Sequence, residues 1–225
     1  MLITNRNYSK YSRNLSPKKI FLFVEGKKRE VDYFKMFESN SKIEVLIYKL
    51  EDGDDNTAIG LYKIAKRVLK SSKSDKNYRN EDDFEEYDYD GTIDELWIIV
   101  DADINRDKIF EAEKKCCNEN NWNLALSNPC FEVWLYYHFS GIKLTPEMLR
   151  KEKITSPIDK CKAWKQFVNN MKSGGFDSKN DVKLIGDAII NAEKNYSESN
   201  QIPDVASTQV FRLAKDIQKL NYKKS

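Results

Sequence analysis

The chain has a single histidine, His138, among 225 residues. Serine–histidine or cysteine–histidine chemistry would have to run through it, and a metal site rich in histidine is excluded. The four cysteines, Cys116, Cys117, Cys130 and Cys161, show no CxxC spacing, which argues against a zinc site and against a disulfide framework. An excess of either charge is absent as well. Lys plus Arg is 38 against 36 Asp plus Glu, a formal net charge of +2. A uniformly basic coat for nucleic acid is thereby ruled out, while a local basic patch is not. No apolar run approaches membrane-spanning length; 20–24 and 96–100 are typical of the short runs present. The first 19 residues are polar and basic and lack an apolar signal core, so a cytoplasmic setting with no membrane partner is expected. What is present is 40% hydrophobic and 12% aromatic residues, enough for a core and too much for global disorder.

Residues 1–17 carry Arg6, Lys10 and Arg13 and no acid, and read as a flexible basic arm. The run 20–24 is wholly apolar and is followed by Glu-Gly, the pattern of a strand buried on both faces. Val31, Phe34 and Phe37 give 28–38 helical spacing, and 43–50 reads as a second strand. After capping residues at 54–57, Ala58, Leu61, Ile64, Ala65, Val68 and Leu69 form an amphipathic stripe. Periodicity is lost over about 72–95, and within it Glu81, Asp82, Asp83, Glu85, Glu86, Asp88 and Asp90 interleave with Phe84, Tyr87 and Tyr89. This reads as a solvated insertion, too acidic to hold a phosphate backbone.

The clearest buried strand is 96–100, with Asp101-Ala102-Asp103 at its end. A helix over 107–120 and a strand over 124–127 follow. Asn128-Pro129 then reads as a helix start, Asn as N-cap and Pro at the first position, with an aromatic-faced helix over 131–139. Strand–helix alternation of this kind predicts an α/β domain over 18–140, with a central parallel sheet and helices on both faces. The remainder, 141–225, reads as a helical C-terminal extension. Thr145-Pro146-Glu147 opens one helix, and others are expected over about 159–172, 181–196 and 206–221.

In an open parallel sheet, ligands bind outside the carboxyl ends of the strands. Two strands here deliver acids to that edge: Val24-Glu25-Gly26 ends one, and Val100-Asp101-Ala102-Asp103 ends another. Alternate residues of an extended segment point the same way, so Asp101 and Asp103 can face one point. Gly26 permits a tight turn and close backbone approach. Bare carboxylates gathered at one edge repel one another, and a hard divalent cation, Mg²⁺ or Mn²⁺, removes that cost. Such a metal generates a nucleophile or stabilises a leaving oxygen, with Glu25 as general acid or base. Lys27 and Lys28 follow at the next helix start, where backbone N–H groups favour a phosphate. The plainer alternative is that these acids only cap helices and solvate loops.

These segments resemble a TOPRIM domain, and more specifically the RloB-like family of anti-phage abortive-infection proteins. Three blocks carry the resemblance. The first is Val24-Glu25-Gly26-Lys27-Lys28-Arg29-Glu30-Val31-Asp32-Tyr33-Phe34, in which Arg29 departs from the usual Thr. The second runs from Trp97 to Asp103. The third is Leu126-Ser127-Asn128-Pro129-Cys130-Phe131-Glu132-Val133-Trp134-Leu135, with His138-Phe139 after it. A weaker match is Ser207 to Leu213. The resemblance implies a Rossmann-like TOPRIM fold and a Mg²⁺-dependent nuclease acting on RNA or DNA, often with an ATPase partner. It places Glu25, Asp101 and Asp103 at the metal and puts Glu30 at a matching acidic position.

Glu132 reads either as a further metal ligand or orienting acid, or as a first-turn helix-dipole acid. His138 reads as a structural histidine. Lys160, Lys162 and Lys165 share one expected helix and Arg212, Lys215 and Lys219 another; ordinary solvated faces are the plainer reading of both. Two rivals stand beside the nuclease. One is a DxD enzyme, a nucleotide-sugar transferase or aspartyl-phosphate phosphatase, which leaves Glu25-Gly26 unexplained. The other is a non-catalytic module that serves as the partner surface of an ATPase.

Overall fold

The structure is a computed structural model that describes residues 2–3, 17–37, 42–74, 89–102, 106–119 and 121–221. Most of the expected basic arm (4–16), the acidic cluster at 81–88 and Asp103 lie outside the described residues. By contacts the chain forms two compact units, Met1–Ile99 with Asp107–Leu124, and Val100–Arg106 with Ala125–Ser225.

The first strands form as the apolar runs require. β1 is Leu2–Ile3 and β2 is Lys18–Val24, with Ile20 to Val24 fully buried. β2 pairs in parallel with β3 (Ile43–Tyr48) on one side and with β4 (Glu95–Asp101) on the other. Phe21 therefore sits between Leu46 and Leu96 in register, and a strand hemmed in this way must be apolar on both faces. β1 adds antiparallel to β3. Next to β4 lies β5 (Trp122–Asn128). The amide of Leu96 bonds the Asn121 carbonyl at 3.0 Å and that of Ala102 bonds the Ser127 carbonyl at 2.9 Å. Both partners advance by the same interval, so this pair is parallel too. β6 (Glu198–Ser199) and β7 (Ile202–Pro203) form a separate two-stranded sheet, and β8 (Ser207–Thr208) adds antiparallel to β5. The main sheet runs β1-β3-β2-β4-β5-β8. It is the mostly parallel, helix-flanked α/β sheet expected, with two short antiparallel edges that the sequence pattern did not announce. Its strand order reverses between β2 and β4, which makes that pair the topological switch point.

In the first unit, α1 (Arg29–Phe34) follows β2, and α2 (Ala58–Ser74) buries the stripe read from the sequence. α3 (Arg106–Cys116) precedes β5. α1 is only six residues long and Lys28 offers no side-chain cap, so it is shorter than the 28–38 helix expected. Its aromatic residues pack on one another instead: Tyr33 meets Phe34 edge-on at 5.0 Å and Phe37 at 5.6 Å.

The second unit is helical after β5. It comprises α4 (Glu132–Tyr136), α5 (Pro146–Lys151), α6 (Cys161–Met171), α7 (Ser178–Asp181) with a short 3₁₀ turn (Val182–Leu184), α8 (Ile185–Lys194) and α9 (Val210–Asn221). α5 starts as its sequence predicts, with the Thr145 hydroxyl accepting from the Met148 amide at 3.4 Å and Pro146 at the first position. α4 is the hub of this unit and packs on α6, α8 and β8. Tyr136 meets Trp164 and Phe167 edge-on at 5.6 and 5.8 Å.

One expected helix start is overturned. Asn128-Pro129 does not cap α4; the peptide between them is cis, and the helix begins at Glu132 with Phe131 in the cap position. The Asn128 amide instead donates to the Pro203 carbonyl at 2.7 Å. A buried tertiary bond to β7 has taken the side chain that local preference would have used as a cap. Around it, Ser127 and Thr208 hydroxyls bond at 2.7 Å, the Gln209 amide donates to the Leu126 carbonyl at 2.7 Å, and Tyr137 donates to the Ala206 carbonyl at 2.6 Å. Blocks 126–139 and 207–213 are thus two sides of one contact.

Candidate functional site

In the second unit, Asp101 closes β4 and is half-buried. Its Oδ1 accepts from the Phe131 amide at 2.9 Å, and the next amide, Ala102, donates to the Ser127 carbonyl at 2.9 Å. These bonds fix the end of β4 against the turn after β5. That turn carries Cys130, which is fully buried. α6 opens on Cys161, half-buried, whose thiol donates to the Pro129 carbonyl at 3.7 Å. One ligand atom from each of Asp101, Cys130 and Cys161 lies within 4.8 Å of the others.

The electrostatics of this cluster are strong. The Cys130 thiol is held far above its ordinary range, first by its hydrogen bond with Cys161, then by burial and by the charges of Glu132 and Asp101. Lys165 lies one turn past Cys161 on α6. Partial burial works against its ammonium, but Glu132, then Cys130, Cys161 and Asp101, outweigh that and raise it above the usual lysine value. Glu132 itself is buried in α4. Asp101 and Glu132 therefore act on the same two neighbours, Cys130 and Lys165.

Three of these residues escaped the sequence pattern. Cys130 and Cys161 are 31 positions apart (161 − 130 = 31), outside any local metal-ligand spacing, and Lys165 looked like part of a solvated face. Four of the other basic candidates are tied into local pairs. Lys160 stands 3.7 Å from Asp159, Lys219 is 3.3 Å from Asp216, Lys215 pairs with Glu193, and Arg212 lies 3.8 Å from Glu198 and 5.2 Å from the Tyr196 ring.

In the first unit, Glu25 follows β2 and is half-buried, its amide bonded to the Ile99 carbonyl of β4 at 3.0 Å. Gly26 is next. A Cβ there would collide with the Glu30 carboxylate, so glycine is what lets that acid lie against the turn. Glu30 is buried in α1. Lys27 and Lys28 are exposed, and Lys27 Nζ bonds Asp52 Oδ1 at 2.7 Å. Both partners are solvated, so this pair holds Lys27 weakly. The six-residue α1 contributes little dipole at its start.

His138 has no place in this chemistry. It is buried beside Trp134 and Phe176, and its Nδ1 donates to the Trp134 carbonyl at 3.1 Å. Burial lowers its pKa to about 4, against the opposing pull of the Trp134 carbonyl and then of Asp181. It is the structural histidine expected.

A hard cation fits part of this donor set. A carboxylate has about four lone-pair positions, so the Phe131 bond leaves Asp101 able to ligate. The Cys130 and Cys161 sulfurs suit a softer metal and add nothing for Mg²⁺.

A mostly parallel, helix-flanked sheet with this strand order defines a Rossmann-like α/β protein. A family model described as RloB-like protein matches residues 20–217, and the chain belongs to that family. No curated protein and no solved structure matches the chain. Among the described residues, no helix is long and apolar enough to cross a membrane.

Proposed function

We propose that the chain is a Mg²⁺-dependent nuclease of TOPRIM type. It hydrolyses phosphodiester bonds of RNA or DNA in the cytoplasm, in anti-phage abortive infection, beside a partner ATPase. The observation that carries this reading is the strand order. β2 and β4 flank the reversal, and each is followed or closed by an acid, Glu25 on one and Asp101 on the other. Glu25, Asp101 and Asp103 are the proposed metal ligands, with Glu30 and Glu132 as supporting acids. Bound there, the cation supplies Lewis-acid polarisation of a phosphoryl oxygen. Glu25 moves the proton of the attacking or leaving group. Lys27 and Lys28 bind the phosphate backbone beside the Gly26 turn. A near-neutral chain needs such a confined contact, because its overall charge attracts nucleic acid little.

The test is a phage-challenge assay in cells that carry the chain with its neighbouring genes, followed by cleavage assays on tRNA and plasmid DNA with Mg²⁺ or Mn²⁺. Glu25→Gln and Asp101→Asn are expected to abolish protection and cleavage while the proteins accumulate normally. Full protection with either variant refutes the assignment and favours a non-catalytic module.

A further inference from the structure

We propose that Asp101, Cys130 and Cys161 form a three-ligand site for a thiophilic divalent cation of the zinc class. The three residues come from the end of β4, the turn after β5 and the start of α6, and their ligand atoms already lie within 4.8 Å of one another. Zinc holds sulfur at about 2.3 Å and carboxylate oxygen at about 2.0–2.2 Å, which sets these three ligand atoms roughly 3.5–3.8 Å apart in tetrahedral geometry. Cys161 is half-buried and opens its helix, so a small side-chain rotation closes the remaining gap. Asp101 is already oriented by the Phe131 amide, the kind of outer hydrogen bond that positions a metal ligand. Two sulfurs and one oxygen leave a fourth position for water, the stoichiometry of an open zinc site rather than a closed structural one.

Binding would put both sulfurs on the metal as thiolates, and the protons they give up leave to solvent. The site is distinct from the magnesium reading, because thiolates are poor ligands for Mg²⁺ and strong ones for zinc. The two readings share Asp101. Where the nuclease reading also holds, zinc in this site withdraws Asp101 from the hard cation and inhibits cleavage.

The experiment is a Co²⁺ titration of the metal-free full chain under a phosphine reductant, without nucleic acid, followed by Zn²⁺ competition. One equivalent of Co²⁺ is expected to raise a thiolate-to-metal charge-transfer band, and Zn²⁺ to abolish it. Cys161→Ser and Cys130→Ser should lose the band and weaken binding at least roughly tenfold, the lower bound for losing even an indirect metal contact. Cys161→Ser is the primary variant because its half-buried position tolerates the change, and circular dichroism confirms its fold. Cys116→Ser and Cys117→Ser should bind as the parent does. Absence of the band in the parent, or its survival in a folded Cys161→Ser, overturns the site. Neither result depends on phosphodiester cleavage, so the nuclease reading stands or falls separately.

Discussion

His138 gives the sharpest quantitative test of the packing of the second unit. Its ring is enclosed by Trp134 and Phe176, and its Nδ1 proton is committed to the Trp134 carbonyl. Burial lowers its pKa to about 4 from an ordinary value of 6.5. The folded chain therefore takes up this proton later than the unfolded chain as pH falls. The stability tied to the neutral ring is complete above pH 6.5 and is lost between 6.5 and about 4, because the unfolded state binds more protons in that window. The full span corresponds to about 3 kcal/mol, of which about 2 kcal/mol is already gone at pH 5. Other groups titrate in acid too, so the measurement is a difference. Urea unfolding at pH 7.5 and pH 5 should show a pH-dependent loss that is smaller by about 2 kcal/mol in His138→Gln than in the parent. Because the chain has one histidine, its Hε1 proton NMR signal can be followed without assignment. A native-state midpoint near 6.5, or equal pH losses in parent and variant, would refute the enclosed-ring account.

The other predictions concern the two acidic turns and the thiols. Asp101→Ala strips the acceptor from the Phe131 amide and should cost roughly 1–3 kcal/mol, or about 2–4 °C in Tm per kcal/mol for a chain of this size. Asp101→Asn keeps a carbonyl acceptor and should cost less than about 1 kcal/mol, so calorimetry that finds the two variants equal removes that hydrogen bond from the account. Gly26→Ala should displace the Glu30 side chain and change Tm little, because the obstructing group is the end of a flexible side chain. A crystal structure of the variant with Glu30 unmoved contradicts this. Exposed Cys117 should react first with a disulfide reagent, while burial, which pushes Cys116 up to about 12 and encloses Cys130, delays both until unfolding. Mass mapping of the first labelled thiol decides it. Asp181, buried and held by Lys172 at 2.6 Å and the Asp177 amide at 2.8 Å, should cost roughly 1–3 kcal/mol when changed to Ala, read by urea unfolding.

Elements whose signal is local were legible from the residues alone. The apolar runs at 20–24 and 96–100 became the central parallel strands because a strand covered on both faces must be apolar throughout. The stripe from Ala58 to Leu69 became the buried face of α2, and Thr145-Pro146 became a capped helix start. The placement of Glu25 and Asp101 after strands was equally legible, since it is a matter of adjacency. Features that depend on distant partners emerged only on folding. Asn128 has the local chemistry of an N-cap, yet a carbonyl 75 residues away claimed its side chain. β8 is too short to carry a periodic pattern and exists because β5 offers it an edge. The cysteines read as unrelated because no spacing joins them, and only the return of α6 to the turn after β5 sets Cys130, Cys161 and Asp101 within reach of one ion. Side chains far apart in sequence become a site through folding, and a pattern with a period of two or 3.6 residues holds no record of that.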